Sequence, residues 1–244
     1  MAIYLQRRNF GIQLALMASL GLLLAACSDN NNDTPPPEPP QPPAAMSRSF
    51  EVTVTNLTAN QPLSPIGTFQ HTDNVQFWSA GQAASVALEK LAEGGDTSEL
   101  ATLQGVTAST TGNAPVGPGA SETLTLEVPE AKVANLAVMS MLVNTNDAFS
   151  GVQSVDVRQL GVDQSLSFKT MAYDAGTEAN SEAKGSIPGP ADGGEGFNAA
   201  RDDVNRVHIH PGVISADDGL SDSVLSASHR FDNPVMMVTI TRTK

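Results

Sequence analysis

The chain has 244 residues, 40% of them hydrophobic, and a formal net charge of −13 at pH 7 from 26 acidic and 13 basic side chains. A surface this acidic repels nucleic acid and anionic headgroups and attracts cations, which excludes nucleic-acid binding. The single cysteine, Cys27, excludes an internal disulfide framework, and aromatic residues at 5% with one tryptophan, Trp78, argue against an aromatic-lined glycan cleft.

In chain order, Arg7 and Arg8 precede an apolar stretch, Phe10 to Ala26, that ends in small residues, the layout of an export signal. It runs into Leu24-Ala25-Ala26-Cys27, which resembles a bacterial lipobox. Residues 1–26 are therefore expected to be a lipoprotein signal peptide, and Cys27 the lipidated first residue of the mature chain. The paired arginines suit a general secretory signal, and with Asn9 and Phe10 they also resemble the twin-arginine motif, so both export routes stay open. Ser28 after the cysteine, in the enterobacterial sorting pattern, points to the outer membrane of a Gram-negative cell envelope. Several acyl chains (palmitate among them) on such a cysteine anchor a protein stably in lipid. No later stretch offers the about 20 apolar residues that span a bilayer. Residues 27–48 read as a linker, and its PPPEPPQPP run (Pro35 to Pro43) as a polyproline II spacer rising about 3.1 Å per residue.

From Ser49 to the end, the apolar pattern has mainly period two. Phe50, Val52 and Val54 alternate with polar residues, as do Leu124, Leu126 and Val128, each the signature of a half-buried strand. Leu136 to Val143 is a fuller apolar run, expected to be a central strand. Val155 and Val157, Leu166 and Phe168, Val204 to His210, and Val235 to Thr241 supply further strands. One helix is expected over residues 81–93, stopped by Gly94-Gly95, and a second short one to Leu103 with Asp96 and Glu99 as its capping box. Short strands separated by Gly, Pro, Asn and Asp predict an all-β fold, an antiparallel β-sandwich of about eight strands with one or two short helices over residues 49–244. Trp78, beside Phe77, is expected in the core.

The acidic loops after strands carry the strongest chemical signal. Asp147 follows the Leu136 to Val143 run, and Asp174 follows the strand with Phe168. Loops at one end of a sandwich cluster in space, and calcium takes six to eight oxygen ligands from carboxylates, carbonyls and water. Asp equally stabilises turns through its own downstream backbone, and the residues alone leave the two roles open. Glu178 reads as solvated loop charge that could assist. Asp192, Glu195, Asp202, Asp203, Asp217, Asp218 and Asp222 lack EF-hand spacing and read as surface solvation. His208 and His210 flank Ile209, so both imidazoles project to one face, and two histidines can begin a zinc site if a third ligand joins them. The sequence holds no G-x-S-x-G, no H-E-x-x-H and no phosphate-binding glycine loop, so no enzyme is expected.

Four segments, FWSAGQAAS (Phe77 to Ser85), GDTSEL (Gly95 to Leu100), NDAFSGV (Asn146 to Val152) and YDAGTEA (Tyr173 to Ala179), stand in an order that resembles the spondin N-terminal domain, over roughly residues 49–213. The resemblance implies a secreted β-sandwich that binds calcium and serves non-catalytic adhesion or ligand binding. It implies calcium ligands at Asp147, Asp174 and Glu127, with Glu130 the substitute for Glu127 because the intervening stretch is one residue longer here. The expected protein is thus a lipid-anchored envelope component whose partner is an extracellular or envelope protein or a glycan. The alternatives are a periplasmic metal-dependent hydrolase built on His208 and His210, and a purely structural envelope component.

Overall fold

In the computed structural model, which describes residues 46–244, ten strands follow one another with two α-helices inserted after the second. They are β1 (Ser47–Asn56), β2 (Gly67–His71), α1 (Val86–Gly94), α2 (Ser98–Ala101), β3 (Val106–Thr111), β4 (Ser121–Pro129), β5 (Asn135–Met141), β6 (Ala148–Asp156), β7 (Ser165–Thr170), β8 (Ala172–Asp174), β9 (His208–Ile209) and β10 (Met236–Arg242). Cys27, the leader and the linker as far as residue 45 lie outside the described residues. Among the described residues, no helix is long and apolar enough to cross a membrane.

The alternating strands build a four-stranded sheet in the order β4-β1-β10-β7, with every pairing antiparallel. Phe50, Val52, Val54, Leu124, Leu126, Val128, Val238 and Ile240 face inward from it. Threonines and serines face outward, and pairs such as Thr53 with Thr123 and Ser167 with Thr239 share hydroxyl hydrogen bonds across the strands. The second sheet has six strands in the order β3-β2-β5-β6-β8-β9, again antiparallel. Leu136, Val138 and Val155 pack from it against the first sheet. Burying one such aliphatic side chain contributes about 1.5–3 kcal/mol.

The far face of the six-stranded sheet is covered as well. Ala137, Met139 and Phe149 meet Leu88, Leu91 and Ala92 of α1 and the aromatic segment Phe77-Trp78. Trp78 lies edge-on to Phe149 at 5.4 Å between ring centroids, and Phe149 stacks on Tyr173 at 5.5 Å. Burial on both faces explains why β5 reads as a fuller apolar run broken only by Asn135 and Ser140: all its residues are buried. The predicted antiparallel sandwich with two short helices is therefore the observed architecture, with a third layer on one side.

Several boundaries differ from the sequence reading. β2, β3 and β8 add three strands to the expected set, and Asp174, expected in a loop, ends β8. The first helix starts at Val86 because Gly81 sits at φ +85°, outside helical space, and Ser85 caps it by accepting the Leu88 N–H. The Asp96–Glu99 capping box does not form. Asp96 instead accepts the Ser98 N–H at 2.8 Å, and Glu99 pairs with Lys90, leaving α2 a single turn. The expected strand over residues 204–210 shortens to β9, because residues 202 and 205 bond to the loop after β8 rather than to a strand.

Candidate functional site

The ladder of the six-stranded sheet converges on Asp174. Ala148 of β6 lies opposite Asp174 on one side, and His208 of β9 lies opposite it on the other. Asp147, one residue before β6, continues the ladder by accepting the Ala175 N–H on its carbonyl. Beyond β8 the chain turns at Gly176, whose φ of +68° and whose approach to the Arg206 carbonyl, 2.3 Å from where a Cβ would stand, both require glycine. Asn205 donates to the Gly176 carbonyl and Asp202 to the Thr177 carbonyl, so the loop over residues 201–207 runs alongside this turn.

Asp147 and Asp174 are both fully buried. Asp147 Oδ2 accepts the backbone N–H groups of Thr177 at 2.8 Å and Glu178 at 3.1 Å, while its Oδ1 has no partner. Burial first, then the Asp174 charge, push the Asp147 carboxyl up to about 8. Asp174 Oδ1 accepts the Gly176 N–H at 2.7 Å, and its Oδ2 accepts from Asn180 Nδ2 at 2.7 Å. A third buried carboxylate, Glu182, has Oε1 on the Ile214 N–H and Oε2 without a partner. Its pKa is raised to about 7, chiefly by burial, with a contribution from Asp174. No local pattern singles out Glu182; its placement depends on Asn146, whose Oδ1 accepts the Glu182 N–H.

The two histidines differ in what they can offer. His210 Nδ1 accepts the Gly212 N–H at 2.9 Å, so the neutral ring carries its proton on Nε2, which is buried, unpartnered and 3.9 Å from Asp174 Oδ2. Burial pushes the pKa of His210 down to about 4, which keeps that ring neutral. His208 Nδ1 lies 3.0 Å from the Ile209 carbonyl and donates to it, and its Nε2 lies 3.5 Å from Asp174 Oδ1. Ligand atoms of Asp174, Asp203 and His208 lie within 4.8 Å of one another.

Glu127 does not join this group. It is exposed on the outer face of β4, opposite Ser49, because the intervening Leu126 and Val128 take the inward positions. β4 packs against β2 and β3, at the other edge of the six-stranded sheet from β8 and β9. Glu130 is engaged elsewhere too, accepting from Arg48 Nε at 2.7 Å. Glu178 is half-buried rather than solvated; it accepts from Asn146 Nδ2 at 3.0 Å, and burial raises its pKa to about 7. Among the acids read as surface solvation, Asp202 caps the Ala179 N–H and Asp218 pairs with Arg230, whereas Asp203 enters the group around Asp174.

Three buried carboxylates with neutral hydrogen-bond donors are an incomplete arrangement. Buried charges are ordinarily paired, protonated or bound to a metal. The two unpartnered carboxylate oxygens, Asp147 Oδ1 and Glu182 Oε2, are hard donors of the kind calcium selects, so the donor chemistry suits a calcium ion. The close-set group of three ligands among the described residues is Asp174, Asp203 and His208.

A comparison with curated proteins finds no match. The family model described as Spondin_N matches residues 56–186, more than half of the chain, and takes in all four resembling segments together with Asp147, Asp174 and Glu182. The chain belongs to the spondin N-terminal domain family.

Proposed function

We propose that this domain is a non-catalytic adhesion or ligand-binding module whose loops are ordered by a calcium ion at Asp147 and Asp174. The observation that carries the reading is Asp147 Oδ1, buried without a partner on a carboxylate that neighbours a second buried carboxylate. Glu182 supplies the third carboxylate in place of Glu127, because its unpartnered Oε2 is buried and the Asp174 charge helps to raise its pKa. Bound calcium would neutralise this group and tie the start of β6 to the loop after β8. No step of chemistry is assigned to it. The outer-membrane address rests on the sequence alone, with acyl chains on Cys27 as the anchor and the proline-rich run as the stalk. The ligand class is a matrix or envelope protein or a glycan, in keeping with what the family resemblance implies.

Equilibrium dialysis of the detergent-purified full chain against calcium tests the metal. One ion per chain is expected, falling away in Asp147→Asn. A protein and glycan array probed with and without chelator then tests the binding role. A bound ligand that chelator releases supports the module. Turnover of an arrayed substrate would favour the hydrolase instead.

A further inference from the structure

The side of Asp174 that faces β9 presents a donor set unlike the one around Asp147. Its members are one imidazole nitrogen and two carboxylates: His208 Nε2, Asp174 and Asp203. His208 Nε2 lies 3.5 Å from Asp174 Oδ1, while His208 Nδ1 is held by the Ile209 carbonyl. That contact is longer than an ordinary hydrogen bond. It is, however, the separation of two ligands on one tetrahedral ion, since bonds of about 2.0–2.1 Å at tetrahedral angles set ligand atoms about 3.4 Å apart.

The surroundings are those of a built site. The Ile209 carbonyl holds His208 in the tautomer that frees Nε2, the usual outer support of a metal-bound histidine. Asn180 Nδ2 holds the other oxygen of Asp174 at 2.7 Å, and the buried, unpartnered Nε2–H of His210 lies 3.9 Å from that oxygen without being a ligand itself. Asp203 is carried there by the Asn205–Gly176 and Asp202–Thr177 backbone bonds, and Arg201 anchors the loop on the buried Glu89. His208 and Asp203 are each partly exposed, which leaves solvent room for a water ligand and a route of entry.

We infer that His208 Nε2, Asp174 and Asp203 form a second cation site, for a divalent transition metal of the zinc class, with Asp174 shared between it and the calcium group. Imidazole in the donor set selects zinc, cobalt or nickel over calcium, while the all-oxygen group around Asp147 selects the reverse. The histidine pair singled out in the sequence thus divides: His208 binds metal, and His210, with its proton on Nε2, does not. This site lies partly beyond residues 56–186.

The test uses the full chain in detergent without a histidine tag, titrated with cobalt in saturating calcium and followed by cobalt's visible absorption. One cobalt per chain is expected, weakened about tenfold or more in His208→Ala and in Asp203→Asn. Both variants should keep the wild-type circular dichroism and calcium-induced melting shift, because neither residue serves the Asp147 group. No cobalt binding in saturating calcium, equal binding by both variants and wild type, or simple displacement of cobalt by calcium would overturn the second site. Asp147→Asn separates the two readings: it should impair calcium uptake and leave the cobalt spectrum in place.

Discussion

Asp147 Oδ2 accepts the Thr177 N–H at 2.8 Å, so a single carboxylate joins the start of β6 to the loop that follows β8. The other oxygen of the same group is buried without a partner. One residue therefore combines a structural bond with an unmet charge, and the two can be separated by substitution. Asp147→Asn keeps an oxygen for Thr177 and replaces the charged one with a donor that Asp174 can use. In chelator above pH 8, where the wild-type Asp147 carboxyl is ionised, the variant should melt higher than wild type, by roughly 2–4 °C for each kcal/mol of repulsion removed. In calcium the order should reverse. Thermal melting followed by circular dichroism reads both, and a variant that melts below wild type in chelator would contradict the account.

The metal-free protein should lose stability as pH rises. Asp147, Glu178 and Glu182 all have folded-state pKa values raised above their ordinary ones, to about 8, 7 and 7, with burial the leading cause. The folded state then holds protons that the unfolded chain has released. Their contribution is complete below the ordinary carboxylate range and disappears as pH climbs through 7 and 8. His210, lowered to about 4, acts in the opposite sense only below its ordinary value of 6.5. Between pH 6.5 and about 8.5 the acids decide the sign, and Asp147 alone contributes a loss of roughly 2 kcal/mol. Melting in chelator at the two pH values should show the fall, and saturating calcium should remove the share owed to Asp147 and Glu182, leaving that of Glu178.

Much of the framework is legible in the sequence because it obeys a period. Phe50, Val52 and Val54, and Leu124, Leu126 and Val128, sit on half-buried strands whose alternation has one reading. β2 escapes this logic: Thr68, Gln70 and His71 are buried together with Gly67 and Phe69, because the strand lies between two covered faces. β3 is an edge strand of Thr, Ser and Ala with little apolar contrast. At the site, the resemblance brought out Asp147 and Asp174, which the ladder does bring together. Glu127 is on the opposite edge, and Glu182 and Asp203 carry no local signal at all. Glu182 sits at φ +45° in a loop held by Asn146, and Asp203 is delivered by backbone bonds between two loops some 30 residues apart. Such placements come from tertiary contacts that leave no periodic mark.

Arg201 should be the structural hinge-pin of the C-terminal loop. It pairs through Nη2 with Glu89 Oε2 at 2.6 Å and reaches the Ala84 carbonyl from the same nitrogen, while the Glu89 carboxylate is almost wholly buried. Arg201→Ala leaves that charge uncompensated and should destabilise the protein by about 3 kcal/mol. The double variant with Glu89→Gln should recover much of the loss in urea unfolding. Equal losses in the single and double variants would assign the effect to Arg201 packing instead.

Cys27→Ala should move the protein from the membrane pellet to the soluble fraction, since the Leu24-Ala25-Ala26-Cys27 arrangement provides the proposed anchor. Cell fractionation reads this directly, and a variant that stays in the pellet would require another anchor.

The central claim is calcium held by Asp147 and Asp174, and the most direct measurement is melting of wild type and Asp174→Asn with calcium and with chelator. Extracellular calcium modules bind at about 10⁻⁴ to 10⁻³ M. Tenfold excess over such a constant adds roughly 1.4 kcal/mol. For a domain of this size that raises the melting temperature by about 3–6 °C. Wild type should show the rise and lose it in chelator, while Asp174→Asn, which retains an acceptor for the Gly176 N–H, should show little of it. Identical melting of the two proteins in both conditions would contradict the claim and leave the aspartates as turn formers.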